Sequence, residues 1–316
     1  MREKHAHVPC KNLPPIAYFV YSDQYSFNIG THVFPVEKYP RLRERLIKEL
    51  KIPKSSFIEP KPATIEELRL AHTQKYINDF VNLKWTDRTI RSEVPLTREI
   101  VDAFILSVGG TIFASELALK NSCGFHIGGG WHHAFPDWAE GFCYLNDTAI
   151  AIRKLQKEKP GIKISVIDCD LHQGNGTAFI FSDDPSVFTF SIHQENLYPV
   201  KQKSKLDIGL SDFAGDPEYS AGLEQGIRAG IIKFRPDIIF YLAGADPYMG
   251  DQLGTLRVSM EGLEKRDRMV IGTCAKAGIP VVITLAGGYA NNVSDTVQIH
   301  FNTARVMLEE LSIMSP

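Results

Sequence analysis

The segment IKISVIDCDLHQGNG (162–176) places two aspartates and a histidine directly behind a run of apolar and β-branched residues. The apolar run predicts a buried β-strand, and the polar residues follow where that strand ends. Asp168, Asp170 and His172 are spaced by two, so in an extended chain their side chains point to the same side. Three groups that can bind a metal ion are therefore expected to converge at the carboxyl end of one strand.

Five more apolar runs of strand length recur along the chain. They are IAYFVY (16–21), CGFHI (123–127), SVFTFSI (186–192), DIIFYLA (237–243) and IPVVITLA (279–286). Helical patterns alternate with these runs, and the clearest are TIEELRLAHTQKYINDFV (64–81), EIVDAFILSVGGTIFASELAL (99–119), NDTAIAIRKLQKE (146–158) and SMEGLEKRDRMVIGTCAKAG (259–278). Thr64 and Glu67 form a capping box at the start of the first pattern, and Asn146 is the expected N-cap of the third. This alternation predicts an α/β fold in which helices cover a mainly parallel sheet.

The spacing of these elements gives no reason to divide the chain. No repeat, linker or low-complexity segment interrupts the alternation, so a single domain over residues 1–316 is expected. The segment 193–218 is rich in Asp, Lys, Gly and Pro, and this composition predicts a surface loop.

Composition and charge narrow the classes of partner and the compartment. The chain is 44% hydrophobic and 23% charged, as is usual for soluble globular proteins. Its net charge of -2, without a block of like charges, predicts neither a nucleic-acid nor a membrane partner, and nothing in the sequence indicates an oligomeric state. The five cysteines are scattered without a C-x-x-C pair, which suits reduced thiols. Residues 1–15 lack the apolar region of a signal peptide, and no stretch reaches the roughly 18 apolar residues of a membrane span, so a cytoplasmic location is expected.

Polar residues and glycines follow five of the predicted strands. The segments are GGGWHHAFPDWAEGF (128–142), DCDLHQGNG (168–176), HQENLYP (193–199), GADPYMGD (244–251) and GGYANN (287–292). Each one alone has a simpler explanation, since Asp246 before Pro247 is typical of a turn and a histidine pair can be buried without a function. Their coincidence at one edge of a sheet, where α/β proteins bind ligands, favours a metal site with groups for proton transfer.

The residue types indicate hydrolysis at a metal ion. Asp170, His172 and Asp246 form a three-ligand set that leaves a coordination position open, as in catalytic zinc sites. Asp168 lies roughly 6.6 Å further back along the strand and is expected to support His132 or His133 instead of the metal. Tyr289 is the expected hydrogen-bond donor to a developing oxyanion in amide hydrolysis.

Five motifs occur in register over residues 16–311, nearly the whole chain. They are GGGWHHAFPDWAEGFCYLND, DCDLHQGNGT, FSIH, AGADPYMGDQLG and GGY. Together they resemble the zinc-dependent histone deacetylase family, which has the arginase/deacetylase fold with about eight strands and helices on both faces of the sheet. The segment THVFPVEKYPRLRERL (31–46) resembles the bacterial deacetylase-like or class IV branch.

The resemblance assigns roles to individual residues. It implies one zinc ion bound by Asp170, His172 and Asp246. The catalytic residues that it implies are His132, His133 as general base and acid, Tyr289 as oxyanion donor, Asp168 as partner of His132, and Asn175 in place of the class I aspartate behind His133. Substrate contacts would come from Gly141, Phe142 and Tyr198, with the Gly141 carbonyl accepting the substrate amide N–H. The family also binds a structural potassium ion, and the residues implied here are Asp168, Asp170, His172, Ser191 and Ile192.

The expected activity is removal of an acetyl or longer acyl group from the ε-amine of lysine in a protein or peptide. Two alternatives stay open: a deacylase acting on a small acylated amine such as an acetylpolyamine, and a non-catalytic module that binds acylated lysine. A site of two aspartates and one histidine also accepts Fe(II). Class I enzymes carry an arginine at an internal channel, but the corresponding stretch here is FPVEKYP (34–40), so that position is left unassigned.

Overall fold

A computed structural model describes residues 18–312 of the chain. The N-terminal segment 1–17, with Cys10 and the first two residues of the predicted strand 16–21, lies outside the described residues, as do residues 313–316. Within the described part, eight strands form one sheet. They are β1 (Phe19–Val20), β2 (Phe57–Ile58), β3 (Cys123–His126), β4 (Ile164–Asp168), β5 (Val187–Gln194), β6 (Leu206–Leu210), β7 (Ile238–Leu242) and β8 (Val281–Thr284).

The sheet has the order β2-β1-β3-β8-β7-β4-β5-β6, and every pair of neighbours is parallel. The predicted α/β class, with a parallel sheet and helices on both faces, is confirmed. Because all strands run in one direction, their carboxyl ends meet at one edge. The ends of the central strands β3, β4, β7 and β8 therefore bring the polar segments of the sequence together.

One sequence expectation for the sheet is wrong. The segment 193–218 is not a loop throughout, because Leu206–Leu210 forms the edge strand β6 and pairs with β5. Four of its five residues are half-buried or exposed, since an edge strand is covered on fewer sides than a central one. The run LDIGL therefore lacks the continuous apolar signal on which the other strands were recognised.

Nine α-helices occur in the described residues. They are α1 (Lys38–Glu49), α2 (Ile65–Leu68), α3 (Gln74–Val81), α4 (Arg98–Asn121), α5 (Asp147–Glu158), α6 (Asn175–Ile180), α7 (Asp216–Ile227), α8 (Met260–Ala277) and α9 (Val293–Ser312). The capping box of Thr64 and Glu67 and the N-cap Asn146 are present as predicted. The pattern 64–81, however, is divided into α2 and α3, because the chain turns so that the Thr73 N–H donates to the carbonyl of Pro136 and its side chain caps α3.

Helix α4 is apolar on most of its surface and packs against β3 and α5. By length and composition it is the one helix in the described part of the chain that could cross a membrane, but 78% of its most apolar window is buried inside the fold. A helix that is apolar all round and buried in this way is typical of a protein core.

Candidate active site

The three predicted metal ligands come together at the carboxyl ends of two adjacent strands. Asp170 and His172 follow β4, and Asp246 follows β7, its neighbour in the sheet. Nδ1 of His172 lies 3.2 Å from Oδ1 of Asp170 and 3.3 Å from Oδ2 of Asp246. All three side chains are buried, and each offers one ligand atom within 4.8 Å of the other two. This grouping is compact enough for a single ion.

The surroundings of these three side chains fit a cation. Oδ2 of Asp246 is buried without a hydrogen-bond donor, although buried carboxylate oxygens are normally paired. Burial and the neighbouring charge of Asp170 raise the pKa of Asp246 to about 7. Burial opposes a charge on His172, but the neighbouring carboxylates of Asp170 and Asp246 raise its pKa to about 10. The two carboxylates thus favour a positive charge at the centre of the cluster, and a divalent cation there would satisfy both carboxylates at once.

The histidine pair lies in the segment after β3 and is linked to two different partners. Nδ1 of His132 is 2.7 Å from Oδ2 of Asp168, whereas Nδ1 of His133 is 2.8 Å from Oδ1 of Asn175. The Nε2 atoms of the two rings are 3.1 Å apart. The structure therefore brings together the four residues that the sequence proposed as an acid–base pair with its supports.

Electrostatics distinguishes the two histidines. Burial works against a charge on His132, but the carboxylates of Asp168 and Asp170 raise its pKa to about 9. For His133, burial and then the charges of His132 and His172 hold the pKa well below its usual range. These shifts favour a neutral His133, whose ring can accept a proton, beside a charged His132.

Tyr289 follows β8 in a loop that directly contacts the metal cluster, the group of candidate metal ligands Asp170, His172 and Asp246. The Gly287 N–H donates to Oδ2 of Asp170 at 2.8 Å, and the Tyr289 N–H donates to Oδ2 of Asp251 at 2.7 Å. The Tyr289 ring is buried and lies 5.8 Å from the ring of Phe142, between ring centroids. Backbone hydrogen bonds to two acidic side chains thus fix the position of the tyrosine relative to the metal cluster.

The predicted substrate residues Gly141 and Phe142 form a tight turn beside the histidine pair. Both have positive φ, 52° and 64°, and the Cys143 N–H donates to the carbonyl of Glu140 across the turn. Positive φ is uncommon for a residue with a large side chain. The Phe142 N–H donates to the carbonyl of Ser92 at 2.8 Å, which holds the phenylalanine in place.

A cavity of about 230 Å³ opens at this site. Its lining includes Phe142, Leu197, Tyr198, Leu253, His133 and His172. A smaller space of about 20 Å³ adjoins it, and Tyr289 lines both. A larger cavity of about 450 Å³ lies between residues 59–64 and α4, but no member of the metal cluster lines it. The predicted substrate residues therefore surround the cavity that leads to the cluster.

The residues predicted to bind potassium lie in or directly after the adjacent strands β4 and β5. Asp168 in β4 is the register partner of Ser191 in β5, and Ile192 follows in the same strand. The hydroxyl of Ser191 is 3.0 Å from Nδ1 of His193. This placement does not test the potassium site, which stays a prediction.

The histone deacetylase domain model matches residues 32–304 of the chain. The chain belongs to the histone deacetylase family. Among characterised and uncharacterised relatives, the protein is 39% identical over 271 residues to an uncharacterized protein of Picosynechococcus, with 85% of this chain and 90% of that protein covered. It is 27% identical over 299 residues to histone deacetylase 2 of Arabidopsis thaliana, covering 88% of this chain and 77% of that one. It is 29% identical over 283 residues to the acetoin utilization protein AcuC of Bacillus subtilis, covering 79% of this chain and 71% of that one.

Solved structures show that this deacetylase-family protein shares the family's fold. The crystal structure of the HDA15 HD domain has a TM-score of 0.78 at 21% identity and covers 94% of this chain and 95% of that one. A histone deacetylase homologue from Aquifex aeolicus has a TM-score of 0.79 at 23% identity, with 94% and 87% covered. The predicted arginase/deacetylase fold is thereby confirmed.

Three residues that contact this deacetylase-family site are not indicated by the sequence patterns. Lys38, in the segment FPVEKYP, is fully buried, and its ammonium group lies over the ring of Tyr289. Asp251 bonds to the Tyr289 backbone, and Glu140 bonds to Asn175. Asp251 and Glu140 lie inside the quoted motifs AGADPYMGDQLG and WAEGF, so acidic residues within those motifs were the available signal. For Lys38 no signal existed, because a lysine at the start of an amphipathic helix is normally exposed.

Proposed function

We propose that the protein is a zinc-dependent amidohydrolase that removes acetyl or longer acyl groups from the ε-amine of lysine in proteins or peptides. One observation carries this proposal: the Asp170, His172 and Asp246 cluster lies beside the His132–His133 pair and Tyr289 at one cavity. Metal ligands, a proton acceptor and an oxyanion donor are the groups that metal-assisted amide hydrolysis requires.

Asp170, His172 and Asp246 would hold the zinc ion. When bound, zinc supplies Lewis acidity, which polarises the acyl carbonyl and makes water a stronger nucleophile. Two carboxylates and one imidazole also suit Fe(II), which is the second candidate for the native metal. A structural potassium ion near Asp168 and Ser191 remains part of the proposal, on the resemblance alone.

The chain's own side chains would move the proton and stabilise the charge. His133 is neutral, so its Nε2 accepts the proton of the attacking water and later returns it to the leaving amine. His132 keeps its charge through Asp168 and stabilises the negative charge that develops nearby. The Tyr289 hydroxyl donates a hydrogen bond to the oxygen of the acyl group, since burial keeps the phenol protonated by raising its pKa well above the usual value.

The cavity suits an acyl-lysine side chain. Phe142 and Tyr198 present aromatic surfaces to it, and Leu253 adds an aliphatic one, so the apolar stem of lysine would be covered. The carbonyl of Gly141, at the tight turn, would accept the N–H of the substrate amide. The bacterial-like or class IV subgroup and the cytoplasmic location stay predictions from the sequence.

A deacylase acting on small acylated amines is the second candidate, because Glu93 lines the same cavity. Glu93 is exposed and has a positive φ of 62°, at the end of the short helical turn Ile90–Ser92. A carboxylate at that place would attract a second ammonium group of a polyamine, whereas a peptide substrate offers no such group at a fixed distance.

The experiment is a substrate panel. Acetyl-, crotonyl-, octanoyl- and myristoyl-lysine peptides are compared with acetylputrescine and acetylspermidine, with the zinc-loaded protein and product detection by mass spectrometry. We expect release from at least one lysine peptide and none from the Asp246→Ala variant. A preference for the polyamines would select the second candidate, provided that the Glu93→Gln variant loses activity on the polyamines and keeps its activity on the peptides. Tight peptide binding by calorimetry without any product would instead reveal a non-catalytic binding module.

A further inference from the structure

Asn175 stands between His133 and a carboxylate that the proposed mechanism does not use. Its side-chain oxygen lies 2.8 Å from Nδ1 of His133, and its side-chain nitrogen donates to Oε1 of Glu140 at 2.7 Å. Asn175 is buried, and Glu140 is half-buried at the edge of the tight turn that Gly141 and Phe142 form. The other oxygen of Glu140 accepts a hydrogen bond from Nε1 of Trp138 at 3.1 Å. Glu140, Asn175 and His133 thus form a continuous hydrogen-bonded chain.

The donors and acceptors in this chain fix its direction. An ionised carboxylate only accepts hydrogen bonds, so the Asn175 side chain must turn its NH₂ group towards Glu140. Its oxygen then faces His133, and the Gly176 N–H donates to the same oxygen at 3.0 Å. Because that oxygen only accepts, Nδ1 of His133 must carry the ring proton. Nε2 of His133 is then the unprotonated ring nitrogen, 3.1 Å from Nε2 of His132, which can donate to it.

We propose that Glu140 is a positioning residue that sets the orientation of the Asn175 side chain and, through it, the tautomer of His133. The inference rests on the proposed function, in which His133 accepts a proton, and it deepens that function by naming what prepares His133 for the role. Without Glu140 only the Gly176 N–H still holds the Asn175 oxygen in place, so the side chain can turn round more readily and donate to Nδ1. That change would leave the proton on Nε2 and remove the base.

The charge distribution explains why an amide lies between the two groups. Oε1 of Glu140 and the side-chain nitrogen of Asn175 are 2.7 Å apart, a distance at which two ionised carboxylates repel each other. Asn175 can bond to both neighbours because it has a donor and an acceptor. An aspartate at position 175 would place a second negative charge next to Glu140. Removal of the Glu140 charge would remove this repulsion.

The first experiment compares Glu140→Leu and Glu140→Gln with the wild-type protein on the best substrate of the panel. Leu removes the acceptor, whereas the oxygen of Gln can still accept from Asn175. We expect kcat to fall by about tenfold or more in Glu140→Leu, within the range lost when a general base is impaired, with a smaller change in KM. Glu140→Gln should stay within about threefold of wild type. Glu224→Leu, which removes an exposed carboxylate on α7, is the matched control and should match wild type.

The second experiment reverses the pair. Asn175→Asp should lose activity because the introduced carboxylate would face Glu140. Asn175→Asp combined with Glu140→Gln should recover at least about fivefold of that loss, since glutamine can donate to the new carboxylate. A role for Glu140 in folding alone predicts no such recovery. A double variant no better than the single one, wild-type kcat in Glu140→Leu, or equal losses in Glu140→Leu and Glu140→Gln would each overturn the inference.

A third measurement does not depend on turnover. Nuclear magnetic resonance of the zinc-loaded, ¹⁵N-histidine-labelled protein reports which ring nitrogen of His133 is protonated, with the signals assigned from a His133→Gln variant. We expect a protonated Nδ1 in wild type and Glu140→Gln, and a shift of the proton towards Nε2 in Glu140→Leu. An unchanged Nδ1 proton in Glu140→Leu overturns the inference. Failure of the proposed function would appear separately, as a wild-type protein without activity on any substrate.

Discussion

The ammonium Nζ of Lys38 lies 2.8 Å from the carbonyl oxygen of Ala286, a residue 248 positions further along the chain. Ala286 has a positive φ of 50° and begins the loop that carries Tyr289. Lys38 is fully buried, and its ammonium group lies over the rings of Phe34, Tyr39 and Tyr289. The start of α1 is thereby joined to the loop that carries Tyr289, the proposed oxyanion donor.

Substitution of Lys38 by Met is expected to lower kcat, whereas its opposing effects on the free energy of unfolding partly cancel. Methionine removes the cost of burying a charge but leaves the Ala286 carbonyl without its donor, so the two effects on the free energy of unfolding partly cancel, within about 2 kcal/mol. The loop to Tyr289 loses one of its anchors, and kcat should fall by about tenfold, because a small displacement of an oxyanion donor is costly. Steady-state kinetics and urea unfolding of the same preparations measure both. Wild-type kcat in Lys38→Met would show that the anchor has no effect on Tyr289.

Zinc is expected to stabilise the folded protein through the three-ligand cluster. Each carboxylate and imidazole of the cluster is buried, so the ion binds the folded state and not the unfolded chain, and the melting temperature should rise with the zinc concentration. In Asp246→Ala the melting temperature should no longer rise with zinc, and calorimetry should no longer show one zinc ion bound per protein molecule. Asp251→Ala, which removes a nearby carboxylate outside the cluster, is the matched control and should still bind one zinc ion. Zinc-dependent stabilisation that persists in Asp246→Ala would place the ion elsewhere.

The Tyr289 hydroxyl is expected to act in the transition state and not in substrate binding. Tyr289→Phe keeps the ring and its contacts with Phe34 and Phe142, so the fold and KM should change little. Loss of one oxyanion donor typically lowers kcat by about 10²- to 10³-fold. Kinetics on an acyl-lysine peptide, with circular dichroism to compare the folds, test this. A rise in KM with kcat preserved would assign the hydroxyl to binding instead.

The sequence predicts the parallel sheet and the metal cluster because both depend on local patterns. Continuous apolar runs mark the buried strands, and the spacing of Asp168, Asp170 and His172 aligns their side chains on one side. Asp246 is recognised because parallel strands end at one edge of the sheet. The edge strand Leu206–Leu210 is missed because it is only partly covered and lacks that pattern.

Long-range contacts account for what the sequence does not predict. Lys38 looks like an exposed residue on an amphipathic helix, and only the packing of α1 against the rest of the chain shows that its ammonium reaches Ala286. Glu140 and Asn175 are 35 residues apart, so their bond follows from the tertiary fold and not from either motif. The division of 64–81 into two helices likewise depends on a distant group, the carbonyl of Pro136.

His72 connects the stability of this fold to pH. Its Nδ1 lies 2.9 Å from the carbonyl oxygen of Phe135, and its Nε2 accepts from the Asn146 N–H at 2.9 Å. Asn146 in turn donates from its side chain to the carbonyls of His132 and Ala134. Since Nε2 must accept, His72 has to be neutral in the folded protein.

The free energy of unfolding is therefore expected to fall between pH 6.5 and pH 4. Burial lowers the pKa of His72 to about 4, whereas in the unfolded chain it is near 6.5. Between these values the unfolded state binds the additional proton, so stability rises with pH across the window and is lost as the pH decreases, by roughly 3 kcal/mol at most. His72→Gln should be less stable than wild type at pH 7.5, and urea unfolding should show the difference narrowing by pH 5, because the glutamine cannot be protonated. Parallel stability curves for the two proteins would mean that His72 is not the group responsible. Buried His126, with its pKa lowered to about 3, acts in the same sense and contributes to the acid loss that remains in the variant.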